Sequence, residues 1–353
     1  MVIQRIKKTA ALILCAAVTA CFFGCAVNDI SKYKRTEVRY DYFDTVTVIT
    51  AYEEDEEAFE AVCEKVFGLF EEYNRLYDIY HTYSGTVNLR TVNQNAGKEP
   101  VKVDRKIIDL LLLGKEMYTL TDGRVNIAMG AVLGIWHNHR EDAAFDPYSA
   151  SLPAEEELEA AAAHCDINKV IIDESESTVF LTDPDMSLDV GAIGKGLATE
   201  AAAALLTSIG AEGYTLNVGG SVRVTGAKPD GKSWTAGIEN PDRDSDSAYS
   251  AVIEMTDGAL VTSGSYQRYY TVDGVRYHHI IDPATLFPRN EYTSVSIYGE
   301  NTAVADALST ALFNMTREDG ERLIDSLNGY AAMWIYPDGT VAVSSGFPKD
   351  IQK

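Results

Sequence analysis

The stretch LDVGAIGKG, residues 188–196, runs directly into the alanine-rich segment 193–209. Glycines ahead of a helix let backbone N–H groups come close to an anion, and the N-terminus of the helix adds a favourable dipole. Lys195 could neutralise a phosphate as a point charge. The spacing matches neither a P-loop nor a GxGxxG turn, so a tight strand-to-helix turn accounts for the glycines equally well.

Strand and helix signals are interspersed on both sides of this stretch without a regular βαβ rhythm. Apolar periodicity predicts helices at 57–80, 104–120, from about 153, at 193–209 and at 302–315. Alternation and turn residues predict strands at 38–52, 170–173, 178–181, 332–336 and 341–343, and mostly strands between 214 and 298. We therefore expect an α+β fold with a mixed or antiparallel sheet core flanked by helices. No Pro/Gly-rich linker divides residues 38–346, which we treat as one domain followed by a tail at 347–353.

The composition is that of a globular and acidic protein. Of 353 residues, 46% are hydrophobic and 24% are charged, which is not the balance of a disordered chain. The 53 Asp and Glu exceed the 30 Lys and Arg, giving a net charge of −23 that disfavours general nucleic-acid binding. Cys63 and Cys165 are far apart in the sequence, so neither a disulfide framework nor a structural zinc site is indicated.

The N-terminus has the features of a bacterial secretion signal. A basic start and an apolar run too short to span a bilayer end in small residues and Cys21. This pattern resembles a lipobox, at which a bacterial lipoprotein is cleaved and lipidated; Cys25 is the alternative site, and an uncleaved membrane anchor is the alternative interpretation. We expect a signal peptide at 1–20, a polar tether at 21–37, and a lipid-anchored protein on the outer face of the cytoplasmic membrane.

A carboxylate and a hydroxyl four residues apart mark the segment ADALST, residues 305–310. Asp306 and Thr310 would lie on the same face of a helix. Such a pair suits Mg²⁺ that keeps waters and bridges to the phosphates of a substrate. The alternative is an exposed Asp and a Thr that bonds back to a helix carbonyl.

Three further segments carry polar or glycine-rich patterns. The paired glycines of LNVGGS, residues 216–221, are typical of a bulge or a close backbone approach. His279 follows a TSG segment at 262–264 and precedes IIDP; it is either an acid/base or phosphate donor or a packed histidine. The HxH of His137 and His139 is better explained by a surface loop than by zinc, because no ligand motif follows it.

Together and in this order, these blocks resemble the ApbE family of FAD:protein FMN transferases. The resemblance covers roughly residues 38–346 and rests on DVGAIGKG, LNVGG, TSG, HIIDP and ADALST. The family has Met-Gly-Thr where this chain has Phe43-Asp44-Thr45, and Asp where this chain has Glu200. The resemblance implies a single ApbE-like, T-fold-like α+β domain that holds FAD in an extended cleft.

The resemblance also implies roles for individual residues. Mg²⁺ would be held by Asp306, Thr310 and the Ala192 carbonyl, and either His279 or Asp306 would accept the proton of the attacking group. The positions that match the FAD contacts of the family are Phe43, Tyr80, Arg124, Val125, Asn126, Asp189, Lys195 and Ile280.

The activity implied by the resemblance is Mg²⁺-dependent transfer of FMN from FAD to a threonine hydroxyl, with release of AMP. The acceptor would be a redox-membrane subunit or an FMN-binding domain that carries a threonine-containing motif. Two alternatives are an FAD pyrophosphatase, which hydrolyses FAD to FMN and AMP, and a non-catalytic flavin-binding lipoprotein.

Overall fold

An antiparallel sheet of eight strands is the centre of the computed structural model, which describes residues 30–352. The strands of the described chain are β1 (Lys34–Tyr42), β2 (Thr45–Tyr52), β3 (Val101–Lys102), β4 (Val170–Asp173), β5 (Thr178–Leu181), β6 (Tyr214–Val218), β7 (Ser221–Thr225), β8 (Trp234–Glu239), β9 (Tyr249–Met255), β10 (Gly258–Gly264), β11 (Tyr269–Val272), β12 (Val275–His278), β13 (Ser294–Gly299), β14 (Ala331–Ile335) and β15 (Val341–Val343). The main sheet has the order β1-β2-β6-β7-β10-β13-β14-β15, and β3-β5-β4, β8-β9 and β11-β12 form three smaller sheets.

The described chain has eight α-helices, and several of them begin after a residue whose side chain caps the helix. They are α1 (Glu56–Tyr77), α2 (Leu89–Gln94), α3 (Arg105–Leu120), α4 (Gly130–Phe145), α5 (Glu155–Ala162), α6 (Gly194–Ser208), α7 (Thr302–Phe313) and α8 (Arg317–Asp325). Asp55, Asp104 and Asn301 precede α1, α3 and α7, and their side chains accept hydrogen bonds from first-turn amides. These bonds satisfy N–H groups that have no partner within the helix.

Apolar layers cover both faces of the main sheet. One face packs against α1, α6 and α7 in a core that includes Ile49, Val261 and Leu308. The other face packs against the β8–β9 hairpin through Trp234 and Leu260. This arrangement places the N-terminal turns of α6 and α7 together beside the sheet. The predicted α+β fold with an antiparallel sheet and flanking helices is confirmed.

The prediction of one strand over residues 38–52 is wrong. The segment forms the β1–β2 hairpin, and Phe43 and Asp44 make its turn with φ values of 53° and 51°. Non-glycine residues seldom adopt this left-handed conformation, although Asp does so more readily than most. β1 begins at Lys34, so the sheet takes in residues 34–37, which we assigned to the tether.

Helix α4 replaces the surface loop that we predicted around His137 and His139. The third predicted helix begins at Glu155 rather than near residue 153, and α2 and α8 are additional. The predicted signal peptide, Cys21, Cys25 and most of the tether lie outside the described residues. Among residues 30–352, no helix combines the length and apolar character that a membrane crossing needs.

Candidate functional site

The glycine-rich stretch and the ADALST segment meet where α6 crosses α7. The N–H of Gly196, in the first turn of α6, donates to Oδ2 of Asp306 at 2.8 Å. First-turn amides have no partner within their own helix, so a carboxylate can use this one without breaking the helix. A Cβ at position 196 would lie 2.5 Å from both Asp306 Cβ and the Thr302 carbonyl oxygen. Only glycine therefore permits this approach.

The Asp306 carboxylate is buried next to one cation. Lys195 Nζ lies 3.6 Å from Asp306 Oδ1 and 3.5 Å from the Gly191 carbonyl oxygen. Burial raises the pKa of Asp306, while Lys195 and the Gly196 N–H oppose that shift. The pocket thus brings together a carboxylate, a backbone carbonyl and an ammonium group whose positive charge balances that of the carboxylate.

Hydroxyl groups extend this pocket along α7 to β10. Ser263 Oγ, in the TSG segment, lies 2.7 Å from Ser309 Oγ and 3.5 Å from Thr310 Oγ1. Ser309 Oγ donates to the Asp306 carbonyl at 2.8 Å. The TSG, GKG and ADALST segments, which are distant in sequence, are therefore assembled at one place.

A second contact between the two helices lies one turn later on α6 and one turn earlier on α7. Glu200 Oε2 accepts hydrogen bonds from Thr302 N at 2.7 Å and Thr302 Oγ1 at 2.8 Å. Arg223 Nε lies 3.4 Å from the same oxygen. Glu200 thus places a negative charge at the N-terminus of α7, where the helix dipole favours one. The residue that departs from the family pattern links the two helices of the site.

Tyr80 stands on a loop that one aspartate holds in place. Asp78 Oδ1 accepts from Tyr80 N at 2.6 Å, and Asp78 Oδ2 accepts from Tyr83 OH at 2.7 Å. The Tyr80 ring stacks on His137 with centroids 4.8 Å apart, yet Tyr80 remains 48% exposed. Desolvation, with a contribution from Asp189, raises the pKa of Tyr80 to about 12, so the phenol stays neutral. The ring is available for a further stacking partner.

The β1–β2 turn reaches the same region. Phe43 N donates to Asn74 Oδ1 at 2.8 Å, and Arg268 Nη2 donates to the Asp44 carbonyl at 2.8 Å. Gly219, with φ of 58°, lies under this turn, since a Cβ there would meet Thr45 Oγ1 at 2.3 Å. Gly219 therefore lets the backbone come close to the Thr45 side chain, and its N–H donates to the Val46 carbonyl at 3.0 Å.

His279 lies at the base of the β11–β12 hairpin. Its N–H and its Nδ1 lie 3.0 and 3.2 Å from the Arg268 carbonyl oxygen. A carbonyl only accepts, so Nδ1 carries the proton of the neutral ring and Nε2 keeps its lone pair. Burial and the nearby Arg268 lower the pKa of His279 to about 3. His279 is therefore a neutral ring with a lone pair on Nε2.

Four of the predicted FAD contacts are tied into the protein itself. Arg124 Nη1 pairs with the buried Asp282 of the HIIDP segment at 2.8 Å. Asn126 uses both ends of its amide, donating to the Cys165 carbonyl at 2.9 Å and accepting from the Ala128 N–H at 2.9 Å. The side chains of Val125 and Ile280 are buried, at 1% and 5% exposure. Their roles in FAD binding stay predictions.

Asp189, another predicted FAD contact, lies directly before the glycine-rich turn. Its Oδ1 accepts from Gly191 N at 2.9 Å, and its own N–H donates to the Ile127 carbonyl at 2.9 Å. Desolvation raises the pKa of Asp189, while the Gly191 N–H and the charges of His137 and Arg140 oppose that shift. Asp189 thus joins the Lys195 pocket to the Tyr80 region.

Sequence reasoning missed a cluster of one histidine and two aspartates. His164, Asp183 and Asp185 offer ligand atoms within 4.8 Å of one another. Asp183 already pairs with Lys169 at 2.7 Å and with His164 Nδ1 at 2.9 Å. Asp183 is therefore already paired with a cation of the protein itself.

The chain is similar in sequence and in structure to known proteins. The ApbE family model matches residues 43–334. The FAD:protein FMN transferase of Treponema pallidum is 33% identical over 300 residues, which make up 81% of this chain and 80% of that protein. The flavin transferase ApbE of Vibrio cholerae has a TM-score of 0.74 at 28% identity, over 89% of this chain and 98% of that chain. The ApbE protein of Thermotoga maritima has a TM-score of 0.77 at 27% identity, over 88% of this chain and 97% of that chain. With the motifs, the fold and the family model in agreement over most of its length, the chain belongs to the ApbE family.

Proposed function

We propose that this chain is a FAD:protein FMN transferase, which moves FMN from FAD to a threonine hydroxyl of a target protein and releases AMP. The observation that carries the proposal is the buried Asp306 carboxylate, held by Gly196 and placed beside Lys195 and a set of hydroxyls. Relatives from Treponema pallidum and Klebsiella pneumoniae carry the same enzyme name.

The residues of this pocket fit a magnesium ion. A carboxylate, a hydroxyl and a backbone carbonyl are the hard oxygen donors that Mg²⁺ prefers. Lys195 Nζ already sits 3.6 Å from Asp306 Oδ1, so the pocket accommodates positive charge next to that oxygen. We infer that Asp306, Thr310 and the Ala192 carbonyl hold Mg²⁺, which when bound supplies charge stabilisation to a diphosphate.

The protein's own side chains would bind and orient the dinucleotide. The exposed part of the Tyr80 ring would stack on the isoalloxazine, and the Lys195 ammonium would face the diphosphate. Phosphoryl-type transfer depends mainly on such positioning and on charge stabilisation.

His279 is better suited than Asp306 to accept the threonine proton. Nε2 of His279 keeps its lone pair, because Nδ1 donates to the Arg268 carbonyl. Both oxygens of Asp306 are engaged, one by Gly196 and the other beside Lys195. Burial and Arg268 keep the pKa of His279 low, so proton acceptance requires the negative phosphates of bound FAD to raise that pKa. On that basis we propose His279 as the proton acceptor and Asp306 as a metal ligand.

We further propose that the protein is lipidated at Cys21 and acts on the outer face of the cytoplasmic membrane. The basic start, short apolar run and small residues before Cys21 support this location. Labelling cells with a fatty-acid probe tests it. We expect Cys21→Ser to abolish labelling and Cys25→Ser to leave it intact; the opposite result would assign the anchor to Cys25.

Mass spectrometry of a threonine-motif acceptor tests the proposed function directly. After incubation with FAD and Mg²⁺ we expect the acceptor to gain the mass of FMN and AMP to appear in equal amount. Free FMN and AMP without an acceptor adduct would instead identify an FAD pyrophosphatase. Tight FAD binding without any product would identify a flavin-binding lipoprotein.

A further inference from the structure

Two arginines that no motif indicated, Arg140 and Arg268, lie close enough to Tyr80 and His279 for their charges to favour a lower pKa of both groups. Arg140 lies on α4, one turn after Trp136, whose ring stacks on Tyr277 of β12 at 6.2 Å. This packing sets α4 against the β11–β12 hairpin. Arg268 lies at the base of the same hairpin, where its carbonyl binds His279 N at 3.0 Å. We refer to Arg140 and Arg268 as the arginine pair.

Arg140 is a partly buried cation without a carboxylate partner among residues 30–352. Its Nη2 lies 2.9 Å from His137 Nδ1, and His137 in turn stacks on Tyr80. Burial, followed by the charge of Arg268, lowers the pKa of Arg140. Two neighbouring cations, one of them partly desolvated, are expected to gain stability when an anion binds between them.

Arg268 holds an exposed partner that a ligand can replace. Its Nη2 lies 2.8 Å from the Asp44 carbonyl oxygen and 3.4 Å from Asp44 Oδ2. The Asp44 side chain is 88% exposed, and an ion pair in that setting contributes little to stability. A guanidinium has five N–H donors, so contacts through Nη2 leave others for a ligand.

The side chains around the arginine pair indicate which kind of ligand would bind there. Tyr80 offers an exposed aromatic ring, and the arginine pair offers planar, forked donors that match a phosphate. Two arginines meet here in a chain whose net charge is −23, and the neighbouring carboxylates are Asp189 and the exposed Asp44. Lys195 stands beside Asp306, where the proposed Mg²⁺ ligands would face the same diphosphate. An aromatic ring system that carries its own phosphate fits the Tyr80 side.

We propose that the arginine pair binds the phosphate next to the flavin, that is, the phosphate of the FMN half of FAD. His137 is the positioning residue that connects Arg140 to the Tyr80 ring. The inference rests on the proposed function for the identity of the nucleotide. It assigns to α4 and to the β11–β12 hairpin the ability to distinguish a phosphorylated flavin from riboflavin.

Equilibrium binding of three probes to the full protein tests the proposal. FMN and riboflavin are titrated by quenching of flavin fluorescence, and AMP by calorimetry, each in the presence of Mg²⁺. The variants are Arg140→Gln, Arg268→Gln and Arg140→Lys. The control is Arg276→Gln, which removes an exposed arginine of the same hairpin that stacks on Tyr269.

We expect the wild type and Arg276→Gln to prefer FMN over riboflavin, and each Gln variant to lower that preference about tenfold or more, because charge-assisted hydrogen bonds are lost. Riboflavin binding should persist in the Gln variants, which reports an intact flavin pocket. Arg140→Lys should retain part of the preference, because it keeps the charge and loses the fork.

Three results would overturn the proposal. They are an unchanged preference for FMN in both Gln variants, a loss of AMP binding in place of FMN binding, and an acceptor KM that rises while FMN affinity stays constant. A different result would contradict the proposed function alone. In that case the preference for FMN would depend on the arginine pair, but the wild type would transfer no FMN to an acceptor.

Discussion

Gly196 N donates to Asp306 Oδ2 at 2.8 Å, which joins the first turn of α6 to the middle of α7. The second link, from Glu200 to Thr302, lies one turn later on α6 and one turn earlier on α7. Two bonds a turn apart fix the distance and the rotation of the helices relative to each other. The position of the Asp306 carboxylate is thus determined by backbone packing.

Replacing Gly196 should damage both stability and transfer. In Gly196→Ala the new Cβ would lie 2.5 Å from Asp306 Cβ, so α6 and α7 must separate. We expect a loss of about 1–3 kcal/mol in the free energy of unfolding, measured with urea, and a large loss of FMN transfer. Gly68→Ala is the control, since its Cβ would meet nothing within 4 Å and alanine favours a helix. Equal stability and activity of Gly196→Ala and wild type would contradict this account.

Glu200 should act on transfer through α7. Glu200→Ala removes the acceptor of Thr302 N and Oγ1 and leaves Arg223 without this partner. We expect it to lower the free energy of unfolding by about 1–3 kcal/mol and to raise the Mg²⁺ concentration needed for half-maximal transfer. Glu318→Gln, on the exposed first turn of α8, is the control. An unchanged Mg²⁺ requirement in Glu200→Ala would show that Glu200 does not influence the proposed metal-binding residues.

Tyr80 should set the affinity for flavin. Tyr80→Leu removes the ring that stacks on His137, and we expect FAD affinity to fall about tenfold, measured by fluorescence quenching. Tyr80→Phe should bind nearly as well as wild type, because it keeps the ring. The control Tyr148→Leu removes a fully exposed tyrosine of another surface. If Tyr80→Leu binds FAD normally, the flavin stacks elsewhere.

His278 should make stability depend on pH. It is buried against Phe313, and its Nε2 lies 3.0 Å from the Arg289 carbonyl oxygen. Burial lowers its pKa to about 4, below the value of about 6.5 expected in the unfolded chain. The unfolded state therefore binds more protons between these values, so stability rises with pH by up to about 1.4 kcal/mol per unit and is constant for this group above about 6.5.

The His278→Gln variant measures this contribution. Urea unfolding between pH 4.5 and 6.5 should give a shallower slope for the variant than for wild type. Part of the slope should remain, because the lowered pKa of His279 acts in the same direction. Identical slopes in the two proteins would show that His278 is not the titrating group.

Local sequence patterns predicted the elements that depend on local physics. Strands β4 and β5 match the predicted ranges, and α3, which begins after its cap Asp104, matches the helix predicted at 104–120. The Asp273-Gly274 turn has positive φ at both residues, as a tight hairpin requires. The ADALST residues lie on α7, and Asp306 and Thr310 both reach the hydroxyl-lined pocket.

The sequence did not predict the elements whose conformation depends on tertiary contacts. Helix α4 carries the polar run from His137 to Arg140, and its position depends on Trp136, which donates to the Leu286 carbonyl at 2.9 Å. The turn at Phe43 and Asp44 lacks glycine, and its left-handed residues are held by Asn74 and Arg268. The i, i+3 spacing of His137 and Arg140 after a tryptophan was the available signal for the arginine pair.

The most direct test of the account compares wild type and Asp306→Asn in the acceptor assay. The amide oxygen of Asn can still accept from Gly196 N, so the variant should fold with unchanged far-UV circular dichroism. We predict that the wild-type protein adds FMN to the acceptor in proportion to Mg²⁺, and that Asp306→Asn loses about 10²–10³-fold in rate. Normal FMN transfer by Asp306→Asn at limiting Mg²⁺ would contradict the assignment of this carboxylate, and with it the proposed site.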